Sequence, residues 1–246
     1  IEYIRRPQSK MQRKSGKRYL KAVGMLTPEA KYPLNKAVEV LQSMPRAKFD
    51  ETVELSFHLG VDPRQSDQMV RGTVSLPHGS GRKIRVAVFT KAGPSFDAAV
   101  AAGAENVGYE DLIAKCTGGW VDFDVAIATP EAMVEVRKLG KVLGPRGLMP
   151  NPKTGTVTDD TGKAVKEFKA GRVEYKVDKT SNLSLPIGKI SFSAEQILDN
   201  AKTAINAIEK ARPSSVKGTY IRSVTLSATM SPGVHVALKG GTAAIE

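Results

Sequence analysis

The fold of this chain is decided by Ile84-Arg-Val-Ala-Val-Phe89, an apolar run interrupted by a single arginine. A second short run, Val125-Ala-Ile-Ala128, has the same character. Strands that are buried on both faces show little alternation of apolar and polar residues, and they are typical of parallel sheets covered by helices. The two runs therefore predict a parallel sheet in the middle of the chain.

Helical patterns lie between and after these runs, over residues 95–102, 109–115 and 130–139. Parallel strands need crossover connections, so the alternation of strand and helix predicts a small α/β unit. We assign this unit to residues 72–157 and expect it to be an insertion in a larger fold.

The two ends of the chain show a different pattern, in which apolar and polar residues alternate. Alternation predicts strands with one buried and one polar face, as in an antiparallel or mixed sheet with helices on one side. In the last strand we expect Met230 to share the apolar face with Val224, Leu226 and Ala228. The alternating segments are Thr52–Leu59, Arg172–Val177 and Tyr220–Met230.

Helical patterns accompany these strands near residues 17–23, 33–44 and 193–211, and Ser193 with Gln196 has the spacing of a capping box. The sequence thus predicts an α+β domain formed by both chain ends, interrupted by the inserted α/β domain. The predicted domain limits are 1–71 with 158–246 for the first and 72–157 for the second. The connecting residues Arg71, Gly72, Thr156 and Thr158 are predicted to form a hinge.

Composition narrows the possible partners. The formal net charge is +12 at pH 7, which favours a polyanion such as nucleic acid. Cys116 is the only cysteine, and His58, His78 and His235 are scattered, so we expect no disulfide and no metal site. No apolar run reaches the about 18 residues that a membrane span requires, so no membrane partner is expected.

Basic residues are concentrated at the start of the chain. Residues 1–21 contain eight basic side chains against one acid, Glu2, and the first residue is Ile1 rather than Met. We expect that a segment upstream of Ile1 was removed or is missing. Two interpretations of the basic segment stay open: the remainder of an organellar targeting region, or an arm that contacts RNA.

The segment Leu139–Gly155 is rich in glycine, proline and basic residues and contains no acid. Glycine and proline disfavour regular structure, so we expect neither a helix nor a central strand to continue through it. Its glycines lack the spacing of a phosphate loop or a dinucleotide fingerprint, and a nucleotide site is not expected. Contact with a phosphate backbone and an ordinary surface connection both stay open.

No group of residues indicates catalysis. Asp122 and Asp124 flank Phe123 and are expected to cap a helix or a turn, and Cys116 is expected to be a buried, inert thiol. Serine and histidine do not occur in a nucleophile-elbow context. We predict no enzymatic activity, no cofactor and no small-molecule substrate.

The polar sides of the alternating strands carry hydroxyl groups that are predicted to share one sheet face. Hydroxyls and cations can bind ribose and phosphate oxygens, and an exposed aromatic ring such as Phe49 can stack on a base. An ordinary solvated sheet face is the alternative, and for Phe49 a core position is favoured over a stacking one. The hydroxyl residues are Thr52, Ser56, Ser223, Thr225, Ser227 and Thr229.

Several segments, in order along the chain, resemble the bacterial-type ribosomal protein L1 family. The resemblance extends over about residues 17–238 and includes the segment Leu139–Gly155. The other segments are Ala47–Glu54, Gly60–Arg64, Arg71–Gly79, Gly103–Gly108, Phe123–Pro130, Phe168–Arg172 and Lys217–Tyr220.

This resemblance implies an α+β domain interrupted by a Rossmann-like α/β domain. It implies a structural protein of the large ribosomal subunit, which binds rRNA at the mobile stalk and assists release of deacylated tRNA at the exit site. Other ribosomal proteins are implied neighbours, and repression through a leader in its own mRNA is the alternative role. The implied location is the ribosome of a bacterial cytoplasm or of an organelle, either mitochondrion or chloroplast.

The resemblance also assigns rRNA contacts to residues of this chain. In the family a glycine follows the Thr-Met pair, whereas Ser231 follows Thr229-Met230 here. We expect the serine side chain either to crowd the RNA or to shift a turn. The assigned rRNA contacts are Lys48, Phe49, Thr52, Lys169, Arg172, Thr229, Met230 and Ser231.

Overall fold

A computed structural model describes residues 16–27, 30–239 and 242–243. These residues form helices and several sheets, so the predicted mixture of α and β structure is confirmed. The chain divides into two compact units. We call residues up to 69 and from 177 onward the terminal unit, and residues 70–176 the central unit.

The helices and strands are numbered in chain order. The helices are α1 (Lys17–Gly24), α2 (Leu34–Ser43), α3 (Pro94–Ala101), α4 (Glu110–Thr117), α5 (Met133–Val136), α6 (Gly140–Leu143), α7 (Thr161–Lys169) and α8 (Ala194–Lys210). The strands are β1 (Thr52–Leu59), β2 (Arg71–Ser75), β3 (Val86–Phe89), β4 (Asn106–Gly108), β5 (Val125–Ala128), β6 (Arg172–Lys176), β7 (Asn182–Lys189), β8 (Ile221–Ala228), β9 (Val234–Val236), β10 (Leu238–Lys239) and β11 (Thr242–Ala243).

The terminal unit is built on an antiparallel sheet with the strand order β7-β1-β8-β9. Along β1, buried and partly exposed residues alternate strictly, as the sequence predicts. Helices α2 and α8 pack on the buried face with apolar side chains such as Leu34, Leu41 and Ile205. The opposite face carries polar side chains and is covered by no helix among the residues that the structure describes.

Two details of this unit test the sequence predictions. The capping box of α8 is confirmed, since Ser193 Oγ accepts the Gln196 N–H at 3.3 Å and Gln196 Oε1 accepts the Ser193 N–H at 3.1 Å. The prediction that Met230 shares the apolar face of β8 is wrong. Strand β8 ends at Ala228, and Met230 lies in the following turn with 51% of its surface exposed.

Strand β7 has no counterpart among the predicted elements, because Pro186 and Gly188 interrupt its alternating pattern. Proline lacks an N–H and is tolerated in strands mainly at a sheet edge. Strand β7 is an edge strand paired only with β1, and it still buries Leu183, Leu185 and Ile187.

The central unit contains the predicted parallel sheet, with the order β4-β3-β5. All four residues of β3 are buried. Val86 and Val88 pack with Val165 of α7, while Ala87 and Phe89 pack in a second cluster on the other face. Both faces of the strand are therefore covered, as its apolar run indicates.

The predicted helix over residues 130–139 is wrong in its form. The structure has α5, one turn of 3₁₀ helix over Arg137–Leu139, and then α6. Helical structure thus enters the glycine-rich segment as far as Leu143, because buried Leu139 and Leu143 anchor it. Helix α7 and the short strand β4 were not predicted.

The predicted hinge residues lie at two places in the central unit. Arg71 and Gly72 belong to β2, which pairs antiparallel with β6. Thr156 and Thr158 flank Val157, which forms a parallel bridge with Ala128 of β5. A hinge at these residues stays a prediction, and so do the domain limits 1–71 with 158–246 and 72–157.

No helix among the described residues is long and apolar enough to cross a bilayer. The basic segment before residue 16 lies outside the described residues, so both interpretations of it stay open.

We expect Gly171→Ala to destabilise the central unit more than Gly119→Ala. Both glycines have positive φ, +109° and +94°, which costs a residue with a side chain about 1–3 kcal/mol. Only at Gly171 would the added Cβ also meet backbone, that of Gly79, whereas at Gly119 nothing lies within 4 Å. Thermal unfolding of both variants measures the difference, and equal losses would contradict this packing.

Candidate RNA-binding surface

A buried carboxylate lies at the start of β1 in the terminal unit. Glu51 is only 2% exposed. Its Oε1 accepts the N–H of Ala47 at 2.6 Å, and its Oε2 accepts the N–H of Met230 at 3.0 Å. A charged group removed from water is stable only when its oxygens are bonded. Glu51 therefore ties the segment before β1 to the turn after β8.

Arg18 of α1 completes this connection. Its guanidinium lies 3.8 Å from Glu51 Oε1, measured from Nη1. The same group donates to the carbonyl of Pro45 at 3.1 Å and to that of Met230 at 2.9 Å. One arginine thus neutralises the carboxylate and bonds both segments, which makes α1 part of their support. We call Arg18 and Glu51 the Arg18–Glu51 clamp.

The clamp holds three exposed side chains of the predicted rRNA contacts. Phe49 is 53% exposed and Met230 is 51% exposed, and Lys48 is exposed as well. The alternative of Phe49 as a core residue is therefore wrong. Exposed large apolar side chains beside a cation are suited to stacking on bases and to phosphate contact.

Thr52 and Thr229 are joined across the start of β1 and the end of β8. Thr229 Oγ1 accepts the N–H of Thr52 at 3.0 Å and lies 3.3 Å from the Thr52 carbonyl oxygen, to which it can donate. Thr52 Oγ1 accepts from Lys189 Nζ at 2.8 Å. A hydroxyl has one donor and two acceptor sites. The Thr52 hydroxyl can donate to an RNA oxygen, while the Thr229 hydroxyl holds the strands together.

The polar face of the terminal sheet continues from these residues. The predicted sharing of one face by the strand hydroxyls is confirmed by the register, which places Ser56 between Ser184 and Thr225. Ser56 Oγ and Ser184 Oγ are 2.9 Å apart, and Thr225 Oγ1 lies 3.2 Å from Nδ1 of His235. Ser56, Ser184 and Thr225 line a shallow polar groove together with His58.

One end of this groove is anionic. Hydrogen bonds from the backbone N–H of Asn182 and from the Thr180 hydroxyl hold the pKa of Asp178 below its ordinary value. The carboxylate stays ionised at neutral pH because its charged form accepts these bonds. A phosphate is therefore disfavoured beside Asp178, and the groove suits sugar hydroxyls better.

Lys169 and Arg172, the other two predicted rRNA contacts, lie in the central unit. Lys169 Nζ donates to the Gly103 carbonyl and to Glu105 Oε1, the latter at 2.7 Å. Burial raises the pKa of Glu105, but hydrogen bonds from Lys169 and the Val86 N–H outweigh it and lower that pKa. The charge of Lys169 is thus engaged within the molecule.

Arg172 makes more hydrogen bonds within the molecule than Lys169 does. Its Nη1 lies 2.5 Å from Glu167 Oε2, its Nε and Nη2 donate to Thr73 Oγ1 at 3.1 and 2.9 Å, and its Nη2 donates to the Thr154 carbonyl. The guanidinium also lies over the ring of Phe168, 5.3 Å from its centre. These bonds connect β6 with β2 and with the glycine-rich segment. RNA contacts by Lys169 and Arg172 stay predictions.

The glycine-rich segment is an ordered connection in the central unit. Asn151 Oδ1 accepts the Lys153 N–H at 2.8 Å, and the Thr154 and Thr156 hydroxyls, 3.1 Å apart, both bond the Asn151 carbonyl. Its cations point to the surface. Lys141, Arg146 and Lys153 are all exposed.

Two further sequence predictions have clear outcomes. Asp122 and Asp124 do not act as helix or turn caps: Asp122 pairs with Arg85, and Asp124 pairs with Arg82 at 2.5 Å and with Arg85. The spacing of charges along the sequence could not show these pairs because their partners lie about 40 residues away. Cys116 is buried as predicted, and burial raises the pKa of its thiol, which favours the unreactive form.

The clamp itself was missed by sequence reasoning. Glu51 lies between Asp50 and Thr52, a position that indicates a surface acid. Arg18 is one of many basic residues near the start of the chain, so its position indicates no special role. The one available signal is that Glu51 directly precedes an alternating strand. Among the described residues, no group of histidine, cysteine and acidic side chains could hold a metal ion.

Comparison with known protein families identifies one match. The ribosomal protein L1p/L10e family matches residues 40–232, well over half of the chain. The matched range includes Glu51 and the turn after β8, whereas Arg18 lies before it.

We expect Glu51→Gln to destabilise the terminal unit by about 1–3 kcal/mol, because the amide cannot accept from both N–H groups and leaves Arg18 unpaired. Glu54→Gln, on the polar face of the same strand, provides the matched control and should change stability by less than about 0.5 kcal/mol. Urea unfolding, followed by a probe in the terminal unit, measures both variants. Equal stability of the two would contradict the clamp.

Proposed function

Because the chain belongs to the ribosomal protein L1p/L10e family, we propose that it binds the rRNA of the mobile stalk and organises that stalk. The family consists of structural, RNA-binding proteins of the large ribosomal subunit and is not a family of enzymes. The chain is therefore a ribosomal protein that binds rRNA. We propose that its ribosome is that of a bacterial cytoplasm, a mitochondrion or a chloroplast.

The observation that supports the rRNA site best is the surface held by the Arg18–Glu51 clamp. It presents the exposed Phe49 and Met230 beside Lys48, next to a sheet face rich in hydroxyl groups. Single-stranded or junction RNA offers splayed bases, 2′-hydroxyls and phosphates in close proximity. The Phe49 ring and the Met230 thioether suit the bases, the Lys48 cation suits the phosphates, and the hydroxyl groups of the sheet suit the 2′-hydroxyls.

We propose the following division of contacts. Phe49 stacks on an unpaired base, Met230 packs against the next nucleotide, and Lys48 approaches a phosphate. The Thr52 hydroxyl donates to a sugar or phosphate oxygen, since its proton is not used by Lys189. The ionised Asp178 keeps phosphates away from the far end of the groove and thereby orients the RNA along the sheet.

The central unit supports a second contact, with the deacylated tRNA at the exit site. Three exposed cations, Lys141, Arg146 and Lys153, project from an acid-free segment that internal hydrogen bonds keep ordered. Such a segment suits the phosphate backbone of a folded RNA. We propose that it follows the tRNA as the tRNA leaves, with Arg71, Gly72, Thr156 and Thr158 acting as the hinge.

Repression of its own synthesis is the alternative use of the rRNA surface. The groups presented by the terminal unit contact bases by stacking and sugars by hydroxyls, so they recognise a shape rather than a long sequence. An mRNA leader with the same junction would fit the same residues. A reporter that stays repressed after deletion of the leader would exclude this role.

We expect Phe49→Leu and Thr52→Val to weaken binding of the stalk rRNA junction about tenfold and about threefold, respectively. The first variant loses base stacking worth about 1–3 kcal/mol, and the second loses one hydrogen bond of about 0.5–1.5 kcal/mol. Lys153→Ala, in the central unit, should leave the affinity nearly unchanged. Equilibrium binding to the isolated junction RNA measures all three.

The wild-type affinity for the junction should also fall steadily with salt, because phosphate contacts release counterions. A flat salt dependence, or equal affinity for an unrelated duplex, would contradict the proposed rRNA site.

We expect the double variant Lys141→Ala, Arg146→Ala to reduce crosslinking of deacylated tRNA to the protein on ribosomes, without changing rRNA affinity. Lys163→Ala, Lys166→Ala removes the same charge from exposed positions of α7 and serves as the matched control. Unchanged crosslinking in the first variant, or an equal reduction in the control, would contradict the proposed tRNA contact.

A further inference from the structure

The last residue of β8, Ala228, carries a backbone N–H that strand β9 does not satisfy. Strand β9 pairs with β8 as far as Val234 and Leu226, so Ala228 lies two residues beyond the last pair. Ala228 is only 7% exposed. A secluded N–H without an acceptor is costly. In this chain the Ser231 hydroxyl supplies the acceptor, and the Ala228 N–H donates to Ser231 Oγ at 2.8 Å.

The hydroxyl of Ser231 is committed within the turn. Its own proton has two acceptors in reach, the Pro232 carbonyl at 3.0 Å and the Ala228 carbonyl at 3.3 Å. The Ser231 N–H donates to the Ala228 carbonyl at 3.1 Å and closes the turn. The Ser231 side chain is therefore bonded to its own turn. These bonds explain how the turn accommodates a serine without directing its side chain at an RNA partner.

The backbone at this position does not require glycine. Among the described residues, Ser181 is the only residue other than glycine with a positive φ, so Ser231 has an ordinary conformation. A glycine there would have more conformational freedom when the turn opens, and it would leave the Ala228 N–H without this acceptor. Serine thus restricts the turn in two ways.

The two residues that the turn presents are Thr229 and Met230. Thr229 is bonded to Thr52 on one side, and the Met230 N–H and carbonyl are bonded to Glu51 and Arg18. The Ser231 hydroxyl adds a third set of bonds, to the Ala228 N–H and to carbonyl groups of the same turn. Without this hydroxyl, the Ser231 N–H bond to the Ala228 carbonyl remains, but the Ala228 N–H loses its acceptor.

We infer that Ser231 is a positioning residue for RNA binding, which orders the Thr229–Met230 turn before RNA arrives. This inference rests on the proposed rRNA site. It gives Ser231 a role through its neighbours rather than by contact with RNA. A surface that is ordered in advance loses less conformational entropy on binding, and its affinity is correspondingly higher.

The test uses the full chain with Ser231→Ala, Ser231→Gly and Ser231→Thr. We expect the Ala228 amide to exchange with solvent at least tenfold faster in the alanine and glycine variants, and junction RNA affinity to fall about three- to tenfold. Ser231→Thr keeps the hydroxyl and should restore both. Ser43→Ala removes an exposed hydroxyl from α2 and should change neither.

The outcomes separate this inference from the proposed function. Wild-type protein that does not bind the junction RNA would overturn the rRNA site. Amide exchange would then test only whether the Ser231 hydroxyl protects the Ala228 N–H. Wild-type binding with equal affinity in the alanine and glycine variants would overturn the positioning role of Ser231. Unchanged exchange of the Ala228 amide in those variants would overturn it as well. If Ser231→Ala does not fold, Ser231→Gly and Ser231→Thr give the same comparison.

Discussion

Glu51 carries a carboxylate that is almost removed from water, and such a group is stable only while its oxygens keep their partners. Its partners come from three separate parts of the chain: α1 through Arg18, the segment before β1, and the turn after β8. All three therefore have a fixed arrangement. The exposed side chains of Phe49 and Met230 belong to segments whose backbone is bonded to this buried carboxylate.

The two units use their charges differently. In the terminal unit few charges lie on the polar sheet face, and hydroxyl groups provide most of its hydrogen-bonding capacity. In the central unit, Lys169 and Arg172 are bonded to Glu105 and Glu167 and stabilise the packing of α7 and β6. The cations that stay exposed there include Lys141, Arg146 and Lys153 of the glycine-rich segment. Shape and sugar recognition thus suit the terminal unit, and phosphate contact suits the central unit.

Much of the fold could be predicted because its signals are local. The alternation of Thr52–Leu59, the apolar run at Ile84–Phe89 and the capping box at Ser193 each depend on neighbours within a few residues, and all three are observed. Strand β7 was missed because Pro186 is acceptable only at a sheet edge, and the edge is a property of the whole sheet. In place of the helix predicted over 130–139 the structure has α5, a 3₁₀ turn and α6. Helical structure reaches Leu143 despite Gly140 because Leu139 and Leu143 are buried.

The sequence by itself determined the family through its characteristic segments. It also determined the parallel and alternating strands and the hydroxyl groups that share one sheet face, because periodicity assigns side chains to faces before any tertiary contact forms. Only the tertiary structure decided which charges are available to a partner. Arg18 and Glu51, 33 positions apart in the numbering, become an ion pair in which the carboxylate is buried and the guanidinium is partly exposed. Ser231 acquires a role because β9 begins only at Val234, too late in the chain to bond Ala228. Whether a charged side chain is paired or exposed depends on segments that are distant in the sequence and become neighbours only in the folded protein. The order of residues along the chain does not show which segments these are.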